Sequence, residues 1–252
     1  MTRKNRGICL SKLSIVMLVS HNNIQKAVDS VVKQNPDEFR VYLDVKTISD
    51  VSKVLAILDN VDVEVSEFVY PKRDHHMNIV HNYHKAILEC NGEFVVKADD
   101  DDLVLGDRRK LIDSVTDDVG IIHGDKTVNY MTEKRHNGTQ IKNHSDLRDK
   151  RIFSGTVTFR KQAFEQIHAI LDHGYFYDWK SWYWILRAGW KAKYVNEILY
   201  YQNWQPPKQD RLRLYGTFPE VIGNLNGIPD ELLEESKRME SNWQNHLSVV
   251  DL

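Results

Sequence analysis

Four consecutive aspartates, Asp99-Asp100-Asp101-Asp102, follow directly on the run Val95-Val96-Lys97-Ala98. Adjacent carboxylates cannot all be desolvated without a counter-charge, so a strand built on the valines should end where the acids begin. An extended chain alternates its side chains, which puts Asp99 and Asp101 on one face and Asp100 and Asp102 on the other. An Asp-x-Asp pair offers two oxygen ligands to one hard divalent cation. The same residues also read as a solvated acidic turn. A further carboxylate, Asp178, sits in the aromatic stretch Tyr175-Phe176-Tyr177-Asp178-Trp179-Lys180-Ser181-Trp182-Tyr183-Trp184. An acid at the start of a helix is favoured by the helix dipole, and this one could also face a cleft. The aromatics around it read mainly as core. His75, His76, His81 and His84 lack a matching set of Cys or acids and read as surface or helix-lining residues.

Such groups need a frame to hold them. Residues 13–20 form a continuous apolar run of strand length, as expected of a strand covered on both faces. His21-Asn22-Asn23 breaks it, and Asn22 or Asn23 can cap the following helix, where Ile24, Ala27, Val28, Val31 and Val32 recur at helical spacing. A second strand over 39–45 ends around Asp44, a helix spans about 49–58, and a third strand covers 61–69. A helix with Ile79, Val80, Tyr83, Ala86 and Ile87 on one face is closed by Asn91-Gly92, glycine being suited to a left-handed helix end. Strands alternating with helices predict right-handed crossovers and a mostly parallel sheet. Ligands bind outside the carboxyl ends of such strands. Ser20, Asn22, Asp44 and the four aspartates all fall there.

The second half is less regular. Strands are expected over 119–123 and 126–131, around Gly124-Asp125, then a long loop or meander over 132–151. A strand over 152–159 contains Ser154-Gly155-Thr156, a helix covers 161–171, and a late strand covers 193–201. Beyond 205 the pattern weakens to Pro206-Pro207, Lys208, Arg211 and Arg213, and Pro229 opens a charged terminal helix.

The totals set outer limits. At 252 residues, 41% of them hydrophobic and 28% charged, the chain can bury a sizeable core. A net charge of -2 supplies no global field toward nucleic acid or anionic lipid. Two distant cysteines, Cys9 and Cys90, make no disulfide framework or metal pair. No apolar stretch is long enough for a membrane span, and a cytoplasmic protein is expected.

In order and spacing these motifs resemble the GT-A family 2 glycosyltransferases, over about residues 13–204. Residues 13–22 look like that family's first strand and Asn-containing turn. Val41-Tyr42-Leu43-Asp44 resembles its second strand, whose closing acid lies by the donor base. Ala98-Asp99-Asp100-Asp101-Asp102-Leu103 is similar to its Leu-Asp-x-Asp-Asp segment, and Gly124-Asp125 to a later Gly-Asp. Ser154-Gly155-Thr156 to Arg160 resembles a strand ending in Arg before a helix. Tyr177-Asp178-Trp179 falls where the family carries Glu-Asp, with Tyr177 in place of the Glu. The turn after Asp44 departs from the usual Asp-Gly-Ser.

The resemblance implies a Rossmann-like, mostly parallel central sheet flanked by helices, with a C-terminal helical appendage. Its nucleotide-sugar half spans about 13–105, its acceptor half about 106–204, and its extension 205–252. It implies transfer of a sugar from a nucleotide-diphosphate donor, most simply a UDP-sugar, to an acceptor hydroxyl, with inversion. Mn²⁺ or Mg²⁺ would lie on Asp99, Asp101 and Asp102. Donor contacts would fall on Ser20, Asn22, Asp44, Asp99, Asp100, Arg211 and Arg213, and acceptor contacts on Trp179, Trp182 and Gly155. Asp178 would be the general base. The implied acceptor is a saccharide. Hydroxymethylated bases in DNA are the other class, to which Arg148, Lys150, Arg151, Lys208, Arg211 and Arg213 could offer a basic strip. Two rivals are a nucleotidyltransferase and a non-catalytic nucleotide-sugar-binding module. The first usually needs a Gly-rich loop after the first strand, where this chain has Ser20-His21-Asn22-Asn23.

Overall fold

In β1 (Leu13–Val19) every residue is buried, so the strand is covered on both faces as its unbroken apolar run requires. The computed structural model describes residues 12–72, 75–130, 132–136, 140–144, 146, 152, 154–170 and 177–203. The extension from 205 onward, with Arg211 and Arg213, lies outside them. After β1 come α1 (Gln25–Val32), β2 (Glu38–Leu43), α2 (Val51–Leu58), β3 (Glu64–Glu67), α3 (His75–Glu89) and β4 (Phe94–Asp99). The second half holds β5 (Leu103–Val104), α4 (Arg108–Asp113), β6 (Val119–Tyr130), β7 (Thr132–His136), β8 (Thr158–Arg160), α5 (Lys161–Ile167), α6 (Tyr177–Arg187) and β9 (Lys191–Gln202).

These strands form one sheet in the order β3-β2-β1-β4-β8-β6-β9-β5, with β7 on β6. The first four are mutually parallel, as alternating strands and helices predict. Beyond β4 the sheet is mixed rather than mostly parallel. There β8 runs antiparallel to β4 and β6, β5 antiparallel to β9, and β9 parallel to β6.

Strand alternation sorts the core into two layers. Leu13, Ile15, Met17, Phe94, Val96 and Ala98 pack on one side of the sheet with Val28 and Val31 of α1, Val54 of α2 and Leu111 of α4. Val16, Leu18 and Val95 pack on the other with Tyr83 and Ile87 of α3, Phe164 of α5 and Trp182 of α6. Among the described residues no helix is long and apolar enough to cross a membrane.

Several local expectations change. Neither Asn22 nor Asn23 caps α1, whose N-cap is Ile24 without a side-chain bond. Asn22 instead donates from Nδ2 to Ser49 Oγ at 2.5 Å and accepts from Asp50 N at 3.1 Å, tying the end of β1 to the start of α2. Gly92 is not left-handed. A Cβ there would stand 2.4 Å from Ser14 Oγ and 2.6 Å from Ser14 N, so close approach of β1 demands the glycine. Gly124-Asp125 does not split a strand, because β6 runs through it and absorbs it as register irregularities against β9. Ser154-Gly155-Thr156 is a 3₁₀ turn before a short β8, not part of a long strand.

Candidate functional site

Three neighbouring parallel strands end together. Leu18 of β1 pairs with Asp99 of β4, and Val19 of β1 with Leu43 of β2. Just beyond them lie Ser20, Asp44 and Asp100. Asp100 is 4% exposed. Its Oδ2 accepts from Ser20 N at 2.6 Å and His21 N at 2.8 Å, and its Oδ1 lies 3.0 Å from His21 Nδ1. The sequence assigns Ser20 and Asp100 to the donor, but the Ser20 amide and both Asp100 oxygens are spent on each other and on His21. Their first role is to weld the end of β4 to the turn after β1.

The other three aspartates depart from strict alternation because β4 stops at Asp99 and the chain turns, with Asp102 N donating to Asp99 O at 3.4 Å. Asp99 and Asp102 therefore meet. The Tyr200 hydroxyl lies 2.9 Å from Asp99 Oδ2 and is also hydrogen-bonded to Asp102 Oδ2. The Tyr83 hydroxyl donates to Asp99 Oδ1 at 2.8 Å, and Asn203 N donates to Asp102 Oδ1 at 2.7 Å. One phenolic proton cannot fully serve two carboxylates. Burial pushes the Asp102 carboxyl up to about 7; the hydrogen bond from Tyr200 opposes the shift, and the charges of Asp99 and Asp101 add to it. Asp101, exposed at the tip of the turn, is also raised, first by desolvation and then by Asp100 and Asp99. A cluster whose members hold each other's pKa values up is one that a cation would relieve.

The donor set suits a hard divalent ion, since it consists of carboxylate oxygens alone. Among the described residues no group of three or more His, Cys, Asp or Glu side chains encloses such an ion. Ions of the Mg²⁺ and Mn²⁺ kind commonly take one or two carboxylates and complete their shell with substrate phosphates and water. One or two of Asp99, Asp101 and Asp102 would suffice for that partial shell.

Asp44 is fully buried. Its Oδ1 accepts from the Tyr70 hydroxyl and, at 3.2 Å, from Lys46 N. Its Oδ2 has no hydrogen-bond partner among the described residues, and His75 Nε2 lies 3.6 Å away. The Lys46 ammonium sits 3.6 Å over the Tyr70 ring. A buried carboxylate oxygen without a donor costs about 1–3 kcal/mol or more, so this carboxylate is left half satisfied.

Asp178 occupies the first turn of α6 and is 30% exposed at its side chain. Both its oxygens lie 3.1 Å from Lys97 Nζ. Lys97 was not assigned a role from the sequence, although a charge amid Val95, Val96 and Ala98 is a visible signal. Tyr83 and Tyr200 gave no such signal, because each sits in a pattern that reads equally well as core.

Arg108, also missed, is fully buried. It donates to Thr156 O at 2.5 Å, Leu199 O at 2.5 Å, Thr158 Oγ1 at 3.1 Å and Gly155 O at 3.4 Å. Burial lowers its pKa to about 9. It knits the 154–156 turn to β9 beside Tyr200. A Cβ on Gly155 would stand 2.1 Å from Tyr200 Cζ, so this glycine makes room for the ring that meets Asp99 and Asp102. Gly155 and Trp182 are the residues expected from the sequence to meet the acceptor. Both are buried, and Trp182, 3% exposed, packs 5.5 Å from Phe159 in the core. The side chain of Trp179 lies outside the described residues, as do Arg148, Lys150, Arg151, Lys208, Arg211 and Arg213.

No family model matches the chain and no curated protein sequence matches it. Solved structures do match. S. aureus TarS 1-349 superposes with a TM-score of 0.57 at 15% identity, over 76% of this chain and 60% of that one. The same protein in complex with UDP-GlcNAc gives 0.58 at 15% identity, over 88% and 69%. The mannosyltransferase PcManGT from Pyrobaculum calidifontis, in complex with GDP-Man and Mn²⁺, gives 0.58 at 14% identity, over 81% and 60%. The chain thus spans 60% of the first of these. These structural neighbours are GT-A glycosyltransferases, and the chain has their fold.

Proposed function

We propose that this GT-A frame serves a metal-dependent glycosyltransferase, which moves a sugar from a nucleotide-diphosphate donor to an acceptor hydroxyl. The observation that carries the reading is the meeting of Ser20, Asp44 and the aspartate turn at the carboxyl ends of three adjacent parallel strands, where such sheets bind nucleotides. Two neighbours of the same fold carry UDP-GlcNAc, or GDP-Man with Mn²⁺.

Asp44 Oδ2, buried and without a donor, suits an N–H of the nucleotide base. Asp99, Asp101 and Asp102 would hold Mn²⁺ or Mg²⁺, which would supply neutralisation of the charge on a departing diphosphate. Asp178 takes the proton of the acceptor hydroxyl, and the default outcome is inversion. A UDP-sugar donor and a saccharide acceptor are the simplest pair.

Calorimetric titration with UDP-, GDP- and TDP-sugars, with and without Mn²⁺, tests the proposal. One donor should bind only when the metal is present. Absence of binding by all three sets would return the aspartates to the role of an acidic turn and favour the non-catalytic module.

A further inference from the structure

Lys97 interrupts β4 with a charge at a position where strand alternation turns it away from Val96 and Ala98, toward the layer of α3 and α6. Its side chain is 13% exposed. An ammonium so placed needs a partner, and the partner comes from α6: both oxygens of Asp178 stand 3.1 Å from Nζ. The same ammonium lies 4.4 Å from the centroid of the Tyr83 ring. The Tyr83 hydroxyl in turn donates to Asp99 Oδ1 at 2.8 Å, with Ala98 O at 3.0 Å. A continuous chain of contacts therefore runs Asp178, Lys97, Tyr83, Asp99. Lys97 and Asp99 are two residues apart on one strand, so the backbone itself sets their spacing at about 6.6 Å.

We propose that Lys97 is a positioning residue, which fixes the Asp178 carboxylate in place and direction relative to Asp99. The inference rests on the transferase reading, in which Asp178 is the base. Lys97 need not touch either substrate. Its stem ties the carboxylate of a helix to the strand that ends in Asp99, so that the base and the start of the aspartate turn are held from one strand. The flexible ammonium can keep one Asp178 oxygen while the other turns to a hydroxyl.

The test compares wild type with Lys97→Met, Lys97→Arg, Asp178→Asn and the Lys97→Met/Asp178→Asn double variant. Turnover is read as Mn²⁺-dependent hydrolysis of the nucleotide sugar, with water as acceptor. Donor Kd is read by calorimetry and folding by thermal unfolding. Lys97→Met should lower kcat on the order of a hundredfold, the cost of a base misplaced by about 1 Å. Donor Kd should be unchanged, and Lys97→Arg should restore part of the rate. In the Asp178→Asn background Lys97→Met should cost nothing further, since residues acting as one unit are not additive.

Wild-type kcat in Lys97→Met, an equal loss in both backgrounds, or a loss confined to donor Kd overturns the proposal. Should Lys97→Met unfold, Lys97→Gln takes its place in the same comparison. If Asp178→Asn is silent while donor still binds, the base assignment and this inference fall and the transferase reading stands. If wild type neither binds nor hydrolyses any nucleotide sugar, both fall together.

Discussion

At the carboxyl ends of β1, β2 and β4, carboxylates keep oxygens to spare; between β6, β8 and β9, buried charged groups are mostly closed on their surroundings, and the uncharged His123 ring is the exception. Asp44 has an oxygen without a donor, and Asp101 stands exposed at the tip of its turn. Across the sheet both terminal nitrogens of Arg108 donate to carbonyls, although its Nε has no partner among the described residues, Asp125 accepts from the Tyr194 hydroxyl at 2.9 Å, and Arg160 pairs with Glu93 and lies 4.5 Å over the Phe94 ring. Both regions bury charge. The difference is that one leaves it open to a ligand, at a cost in stability, while the other uses it as a fastener. Burial alone therefore does not identify a site, and neither does an unmet polar atom by itself, as His123 within β6 shows; unmet carboxylate oxygens gathered at the carboxyl ends of parallel strands do.

The largest expected effect lies on the open side. Asp178→Asn should leave Mn²⁺-dependent donor binding intact and cut kcat by about 10²–10⁴-fold, the usual worth of a general base. Near-normal turnover would move the base elsewhere.

On the fastened side, Arg108→Met strands the carbonyls of Gly155, Thr156 and Leu199. Denaturant unfolding should show a loss of about 3 kcal/mol, the cost of the stranded acceptors being partly offset by relief of the buried charge. A variant as stable as wild type would mean that the carbonyls find other donors.

Asp100 and Asp101 set the comparison within a single turn. Asp100→Asn should cost about 1.5 kcal/mol of stability, because two backbone amides lose a charged acceptor. Asp101→Asn should leave stability within about 0.5 kcal/mol and abolish the metal dependence of donor binding. The reverse pattern would exchange their roles.

An effect visible only on acidification concerns His123, fully buried with neither ring nitrogen hydrogen-bonded. Burial lowers its pKa to about 4, against a weak opposing pull from Asp125. The unfolded chain takes up this proton first, so the stability contributed by neutral His123 is present above about pH 6.5 and is lost as pH falls toward 4. At pH 5 the loss is on the order of 2 kcal/mol. His123→Leu should flatten the stability profile over that window, and an unchanged slope would assign it to other groups.

The parallel half was legible in the sequence because its strands are buried on both faces and its helices carry apolar residues at helical spacing. Leu13 to Val19 needed no tertiary information. The mixed half was less legible because its pairings are long-range: β8 is three residues long and is defined only by neighbours on either side. Asn22, Gly92 and Gly155 were visible as unusual residues, but their reasons lie in partners distant in sequence: Ser49 and Asp50, Ser14, and Tyr200.

By itself the sequence determined that an apolar strand ends in an acid run at the carboxyl edge of a parallel sheet. Composition and periodicity are local, and burial of apolar surface enforces them whatever the rest of the chain does. Only the tertiary structure decided which acid does what. Asp99, Asp100, Asp101 and Asp102 are chemically identical, and what distinguishes them is the hydrogen-bond donors that distant segments bring to each: the Ser20–His21 amides, the Tyr83 and Tyr200 hydroxyls, and the Asn203 amide. The same holds for Lys97 and Asp178, which are 81 residues apart in the chain and 3.1 Å apart in the fold.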